Sequence, residues 1–215
     1  MKNNITELVF ILDRSGSMAG LVSDTIGGFN AMIEKQKKQE GECLVTTVLF
    51  DSRFDTLHDR VRLADVKPMT SEDYTPGGCT ALLDAVGDTI KHIAGIHRYI
   101  RPEDVPENTV FVITTDGMEN ASRRYGYSQI KELVEHEQQK YGWQFLFLGA
   151  NIDAFGAAED IGIRREMATN FLADRDGMEL CFAAVDNAVS SARMSAPIKS
   201  TWKQNVEGDF KRRKK

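Results

Sequence analysis

The segment LVFILDRSGSM, residues 8–18, joins five consecutive apolar residues to an aspartate and to two serines at alternate positions. A short apolar run bounded by polar residues predicts a strand that is buried on both faces, here over residues 8–12. The acid and the two hydroxyls follow directly, at the carboxyl end of that strand. The segment therefore predicts the first strand of a buried sheet and a group of oxygen ligands at its edge.

Beyond this segment, apolar runs alternate with longer amphipathic stretches, which is the order of strands and helices in a parallel sheet covered by helices. The predicted strands cover residues 8–12, 43–51, 109–115, 143–151 and 168–173. The predicted helices cover residues 22–33, 82–97, 128–140, 154–163 and 176–194. For the third helix, Ser128 is the predicted N-cap and Gly142 the predicted stop.

One more strand is predicted behind the turn FDSRFD, residues 50–55, because so short a connection makes an antiparallel hairpin. We therefore expect an α/β fold with a doubly wound, mostly parallel six-stranded sheet, one antiparallel edge strand and helices on both faces. This is a Rossmann-like architecture with the expected strand order 3-2-1-4-5-6.

The composition predicts one ordinary globular domain, since 215 residues with 41% hydrophobic side chains can build one sizeable core. We expect this domain to span residues 1–195, followed by a flexible basic tail over residues 196–215 that ends in KRRKK. The net charge of -5 argues against nucleic acid as a partner of the domain. The tail alone could contact nucleic acid or another acidic surface.

The cysteines and the hydropathy pattern predict a cytoplasmic protein. Cys43, Cys79 and Cys181 are odd in number and lack C-x-x-C spacing, so we expect reduced thiols, with Cys79 buried. No apolar run approaches the roughly 18 residues needed to span a membrane, and the amino-terminal run is too short for a signal peptide. We therefore expect no membrane association.

The expected strand order brings the ends of strands one and four together, in the crevice where ligands bind in open α/β sheets. Strand four ends in TTDG, and a third loop, TPGGCT, carries a tight glycine turn before a helix. The oxygen donors that these loops offer are Asp13, Ser15, Ser17, Thr80 and Asp116. A donor set without His or Cys selects a hard cation, and two carboxylates with neutral hydroxyls suit Mg2+ or Mn2+ better than Ca2+.

The motifs D-R-S-G-S, the Thr80 turn and T-D-G together resemble the metal-ion-dependent adhesion site (MIDAS) of von Willebrand factor A-type (vWA) domains. FLGANIDA, residues 147–154, also resembles compact bacterial members of that family. The resemblance implies that Ser15, Ser17 and Thr80 contact the metal and that Asp13 and Asp116 bind it directly or through water. It further implies a protein partner whose Asp or Glu completes the metal's coordination, and thus a binding module rather than an enzyme.

Two alternatives stay open at this point. Asp13 and Ser15 could simply cap the following helix, because Asp and Ser are common cap residues. The same crevice could also serve a Mg2+-dependent hydrolase or phosphotransferase, with Glu119 as the candidate general base. Against an enzyme, the chain has neither a G-x-x-x-x-G-K-[ST] loop nor a G-x-G-x-x-G after strand one.

Residues near Asp116 have open roles as well. Glu119 and Asn120 could orient the metal site or could cap a loop. Arg123, Arg124 and the nearby tyrosines could contact an acidic partner or could be solvated. These side chains are Arg123, Arg124, Tyr125 and Tyr127.

Overall fold

The computed structural model describes residues 4–214, which form a six-stranded sheet in the order β3-β2-β1-β4-β5-β6. The strands are β1 (Ile5–Asp13), β2 (Glu42–Phe50), β3 (Phe54–Arg62), β4 (Asn108–Thr115), β5 (Gln144–Ala150) and β6 (Ala168–Phe171). Every neighbouring pair is parallel except β2 and β3, which form the antiparallel hairpin. The predicted fold class and strand order are therefore confirmed.

Six α-helices cover the two faces of the sheet. They are α1 (Val22–Gln36), α2 (Leu82–Tyr99), α3 (Tyr127–Tyr141), α4 (Ala154–Asp160), α5 (Arg175–Arg193) and α6 (Gln204–Arg213). Alternate residues of β1 point to opposite layers, with Phe10 in the layer of α1, α5 and α6 and Ile11 in the layer of α2, α3 and α4. Because both faces are covered, β1 is apolar without a break, as the sequence predicted.

The third helix starts differently from the prediction and ends as predicted. Gly126, not Ser128, is the N-cap, and the Gln129 side chain accepts a hydrogen bond of 2.9 Å from the Gly126 N–H. Gly142 ends the helix in the left-handed conformation at φ +69°, which glycine adopts without strain. The capping contact at the start of this helix therefore comes from the Gln129 side chain, as in a capping box, and not from a serine hydroxyl.

The predicted flexible tail over residues 196–215 is wrong for the part that the structure describes. Residues 204–213 form α6, and Trp202 and Val206 are only 7% and 2% exposed in the layer of α1 and α5. Lys203 donates hydrogen bonds to the carbonyls of Arg165 and Ala168, beside the edge strand β6. Apolar residues recur at steps of four within this charged stretch, so one side of it can pack against the layer of α1 and α5. The segment also covers β6, an edge strand that would otherwise be exposed. Lys215 lies outside the described residues.

Within residues 4–214, no helix is both long enough and apolar enough to cross a membrane.

Candidate metal centre

The candidate metal centre lies where β1 and β4 end side by side. Asp13 is the last residue of β1, and Asp116 follows Thr115, the last residue of β4. The strands are parallel neighbours with Leu12 opposite Thr114, so their carboxyl ends meet at one edge of the sheet. This is the crevice of an open α/β sheet, at the point where the strand order reverses.

Asp13 is fully buried, and its carboxylate is fixed from two sides. It accepts a hydrogen bond of 2.7 Å from the Ser15 N–H and one of 2.6 Å from the Thr115 hydroxyl. Burial raises the pKa of Asp13 above its ordinary value, the two hydrogen bonds oppose this rise, and the charge of Asp116 adds to it. The Asp13 side chain is therefore held in one orientation in a setting that disfavours its negative charge.

The two serines connect Asp13 to Asp116. The Ser17 hydroxyl donates a hydrogen bond of 2.5 Å to Asp116 Oδ1, and its oxygen lies 3.1 Å from Ser15 Oγ. Burial raises the pKa of Asp116 too, and the bond from Ser17 opposes this rise. Ser15 is buried whereas Ser17 is exposed, so the cluster reaches the surface at Ser17.

Thr80 joins the cluster from the α2 side. A Cβ placed on Gly117 would lie 3.0 Å from Thr80 Oγ1 and 3.8 Å from Ser17 Oγ, so both hydroxyls border the space beside Gly117. The turn before Thr80 needs glycine at position 78 for two reasons. Its φ is +67°, and a Cβ there would lie only 2.7 Å from the Ser52 hydroxyl oxygen. The Gly77 N–H donates to the Arg14 carbonyl at 2.9 Å and so ties this turn to the loop after β1.

The charges of the two aspartates have no counterion among residues 4–214. Neither Asp13 nor Asp116 forms an ion pair there, and the nearby Arg14 pairs instead with Asp51 and Asp55. Two buried carboxylates beside three hydroxyls are a donor set that fits a hard divalent cation. The structure thus brings all five predicted donors into one cluster, and this cluster could hold a metal.

The helix-cap alternative explains less of this geometry. Ser15 does occupy the N-cap position of the short 3-10 helix Gly16–Leu21, but its side chain makes no capping hydrogen bond. The serine oxygens face each other and Asp116 instead.

Asn120 and Glu119 have different roles. The Asn120 side-chain oxygen accepts a hydrogen bond of 2.9 Å from the Thr80 N–H, and the Asn120 N–H donates to the Thr80 carbonyl at 3.0 Å. Asn120 therefore positions Thr80. The Glu119 carboxylate accepts hydrogen bonds from the Leu83 N–H at 2.9 Å and the Ser122 N–H at 2.7 Å, so it holds the start of α2 against the loop after β4.

Three supporting residues were missed in the sequence. The Tyr74 hydroxyl donates to the Asp13 carbonyl, and Thr115 donates to the Asp13 carboxylate. Asp84 accepts hydrogen bonds from the backbone N–H groups of Arg123 and Arg124. Only Thr115 had a signal in the sequence, as the hydroxyl directly before Asp116. The other two act across the fold without a local pattern.

Two arginines at the rim of the cluster differ in their contacts within the described part of the chain. Arg124 pairs with Asp88 and lies over the Phe54 ring at 5.4 Å, so its side chain is already engaged. Arg123 is exposed, and its side chain forms no ion pair with any residue from 4 to 214. Cys79, predicted to be buried, is exposed beside Thr80.

No protein-family model and no curated protein sequence matches the chain. Solved structures do. Proximal thread matrix protein 1 from the mussel byssus is 18% identical with a TM-score of 0.63, over 86% of this chain and 46% of that chain. Another structure of the same protein, 16% identical with a TM-score of 0.60 over 86% and 45% of the two chains, has a zinc-occupied MIDAS motif. This chain spans less than half the length of the mussel protein.

Two further structures extend the likeness. The vWF domain of the type V pili tip protein Mfa5 from Porphyromonas gingivalis is 10% identical with a TM-score of 0.61, over 87% of this chain and 95% of that chain. The manganese-loaded TRAP protein of Plasmodium vivax is 18% identical with a TM-score of 0.57, over 83% and 72% of the two chains. At these identities the likeness is one of fold.

Proposed function

Because this chain has the fold of a vWA domain, we propose that it is a divalent-metal-dependent module that binds a protein partner through the partner's Asp or Glu. The observation that carries the proposal is the pair of buried carboxylates, Asp13 and Asp116, which lack a counterion among residues 4–214 and lie beside three hydroxyls. The zinc-occupied and manganese-loaded structures of similar fold support a divalent ion at such a site.

The residues proposed to hold the metal are Asp13, Ser15, Ser17, Thr80 and Asp116, and Mg2+ or Mn2+ suits these oxygens best. A metal there would keep a net positive charge, because three of its donors are neutral, and could accept a carboxylate from another molecule. Thr115 and the Ser15 N–H orient Asp13, and Asn120 orients Thr80. The site would therefore be formed before a partner arrives.

The surface above the cluster suits a protein partner. Ser17 is exposed, and Met118, next to Gly117, is 73% exposed, so an apolar side chain borders the opening. Arg123, which forms no ion pair among residues 4–214, lies in the same loop after β4 and could take a second acidic group.

Site-specific photo-crosslinking tests this proposal. A photo-reactive amino acid replaces Met118, and the same replacement at Met194, 71% exposed at the end of α5, is the matched control. In an extract of the source cells we expect protein adducts at position 118 that form in Mn2+ and disappear in EDTA or in Asp116→Ala. An excess of an Asp- and Glu-rich peptide should suppress them, and its Asn and Gln counterpart should not. Adducts that are indifferent to EDTA would count against the proposal.

The candidate base of the enzymatic alternative, Glu119, is already engaged. The Glu119 carboxylate accepts hydrogen bonds from Leu83, Ala121 and Ser122, which engage both of its oxygens. We therefore propose that the chain is not an enzyme. Metal-dependent turnover of generic phosphoester or peptide substrates that is lost in Glu119→Gln would overturn this part of the proposal.

We also propose that the protein works in a reducing compartment, namely the cytoplasm. The three cysteines are free, and Cys79 is exposed, where a disulfide could form under oxidising conditions. A thiol count on protein purified without reductant would test this, since we expect three free thiols per chain.

A further inference from the structure

A groove of about 600 Å³ lies on the outer side of β6, the last strand of the sheet. The start of α4 and the loop after α4 form one wall, which includes Phe155 and Arg165. The other wall is α6 with the 3-10 turn before it, from Ser200 to Lys211. Asn170 of β6 lines the groove between these walls, and β5 separates β6 from β4 and the metal centre. We call this surface the edge groove.

The edge groove is basic although the chain is acidic. Three cationic side chains and two acidic ones line it, namely Arg165, Lys203, Lys211, Glu166 and Glu207. Two further cations border these residues, since Arg164 pairs with Glu166 at 3.2 Å and Lys214 Nζ lies 4.7 Å from the centre of the Phe210 ring. Five positive and two negative groups leave a formal charge of three positive, whereas the whole chain carries -5.

Ion pairs inside the edge groove do not remove this surplus. Glu166 is paired with Arg164, and the single carboxylate of Glu207 serves both Lys203 at 3.1 Å and Lys211 at 3.6 Å. Arg165 forms no ion pair with any residue from 4 to 214. The groove therefore keeps positive charge for which the described part of the chain supplies no counterion.

The donors that carry this charge can be reached from solvent. Arg165 is exposed, and its Cζ lies 4.3 Å from the centre of the Phe155 ring, a contact that positions the guanidinium without using its N–H groups. The Lys211 side chain is 78% exposed. The Asn170 side-chain oxygen accepts a hydrogen bond of 3.1 Å from the Ala154 N–H, whereas its amide nitrogen makes no hydrogen bond with another described residue.

The edge groove is long enough for a short stretch of extended chain. Ser200 and Lys211 line it 11 positions apart, which at about 1.5 Å per residue in a helix is roughly 17 Å. An extended peptide advances about 3.3 Å per residue, so about five residues would span this length. The Asn170 amide nitrogen could donate to a backbone carbonyl of such a peptide, and the cations on the two walls would select acidic side chains.

The charges around the edge groove favour a peptide over a nucleic acid. Glu166 and Glu207 stand among the cations, and a nucleic acid would bring a phosphate to them with every nucleotide. A strand that continues beyond the groove would also meet the acidic remainder of the chain. A short peptide avoids both contacts, because its carboxylates can be confined to the positions that face Arg165 and Lys211.

We propose that the edge groove binds a short, extended, acidic segment of another protein, with one carboxylate of the segment on Arg165 and another on Lys211. This contact would be independent of the metal centre, since none of the five proposed metal ligands lines the groove. It gives the carboxyl-terminal segment a binding role in addition to its packing.

Fluorescence anisotropy of a labelled pentaglutamate peptide, titrated with the full chain in EDTA, tests the proposal. EDTA removes any metal that could hold a peptide carboxylate, so the result does not depend on the proposed function of the metal centre. Pentaglutamine is the matched neutral probe, and pentathymidylate is the nucleic-acid probe. Arg165→Gln removes the exposed guanidinium. Arg53→Gln is the control variant, because Arg53 is also exposed and without an ion pair among residues 4–214 but lies in the turn between β2 and β3.

We expect pentaglutamate to bind the wild type, and its dissociation constant to rise about tenfold in Arg165→Gln, as for loss of a charged hydrogen bond. Arg53→Gln should bind as the wild type does, and pentaglutamine and pentathymidylate should each bind at least about tenfold more weakly. Absence of pentaglutamate binding, equal dissociation constants for Arg165→Gln and Arg53→Gln, or equal binding of pentaglutamine would overturn the proposal. Binding of pentathymidylate as tight as that of pentaglutamate would overturn it too and would assign the groove to nucleic acid.

Discussion

The Thr115 hydroxyl donates a hydrogen bond of 2.6 Å to the Asp13 carboxylate. Thr115 ends β4 and Asp13 ends β1, so this bond joins two neighbouring strands at the crevice. It also fixes which way the buried Asp13 carboxylate faces. Groups that orient metal ligands in this way commonly contribute to affinity even though they do not touch the metal.

Thr115→Val should therefore weaken metal binding while the fold is kept. The substitution preserves the shape of the side chain and removes the bond to Asp13, so we expect Mn2+ affinity measured by calorimetry to fall about tenfold or more. Thr114→Val is the control, since Thr114 is also buried but its side chain makes no hydrogen bond to another described residue. Equal Mn2+ affinities of the two variants would show that the Thr115 hydroxyl does not contribute to metal binding.

The site residues that stand at the carboxyl ends of strands were predictable from the sequence. A strand buried on both faces is a continuous apolar run, and the aspartates that end β1 and β4 are brought together by the strand order alone. Residues that act across the fold were not predictable. Tyr74 donates a hydrogen bond to the carbonyl of Asp13, which is 61 positions away in the sequence. No local sequence pattern indicates such a contact.

The carboxyl-terminal helix shows a second limit. The apolar residues Trp202, Val206 and Phe210 recur at steps of four through this helix and the turn before it, but they stand among charged residues that dominate the composition of the segment. The stripe is only three residues long. Its packing partner, the layer of α1 and α5, is set by tertiary structure and not by the segment itself.

Trp202→Ala tests whether this segment belongs to the domain. Trp202 is 7% exposed and donates to the Glu166 carbonyl at 3.1 Å, so we expect a loss of about 3–5 kcal/mol in the free energy of unfolding by urea. Tyr99→Ala is the control, because Tyr99 is 85% exposed and its truncation should change stability by about 0.5 kcal/mol or less. A wild-type stability in Trp202→Ala would restore the flexible-tail interpretation.

Two adjacent glycines in α1 should respond in opposite directions to alanine. A Cβ on Gly28 would lie 2.2 Å from the Phe182 ring of α5, so Gly28→Ala should destabilise the protein by about 1–3 kcal/mol through overpacking. A Cβ on Gly27 meets nothing within 4 Å, so Gly27→Ala should stabilise it by roughly 0.5–1 kcal/mol through helix propensity. Urea unfolding measures both, and effects of the same sign would mean that α1 and α5 pack differently.

His58 should make stability depend on pH. Its ring nitrogens lie 3.0 Å from Thr47 Oγ1 and 3.1 Å from the Lys67 carbonyl, and burial lowers its pKa below the ordinary value. Between the folded and unfolded pKa values the unfolded chain binds the proton and the folded chain does not. This contribution to stability is therefore complete above about pH 6.5 and declines as the pH falls below it.

Unfolding curves at several pH values between about 5 and 7.5 measure this effect. The wild type should lose more stability over this range than His58→Gln, which has no imidazole at this position. If the stability of the wild type and of His58→Gln changes equally with pH, folding does not change the pKa of His58.

The most direct test of the metal centre is thermal unfolding in EDTA and in saturating Mg2+ or Mn2+, for the wild type and for Asp116→Ala. A ligand at about 100 times its dissociation constant adds roughly 2.7 kcal/mol of stability, which for a chain of this size raises the melting temperature by roughly 5–10 °C. We predict this rise for the wild type and none for Asp116→Ala. If neither protein shifts, or if both shift equally, the carboxylates and hydroxyls between β1 and β4 do not form a metal site.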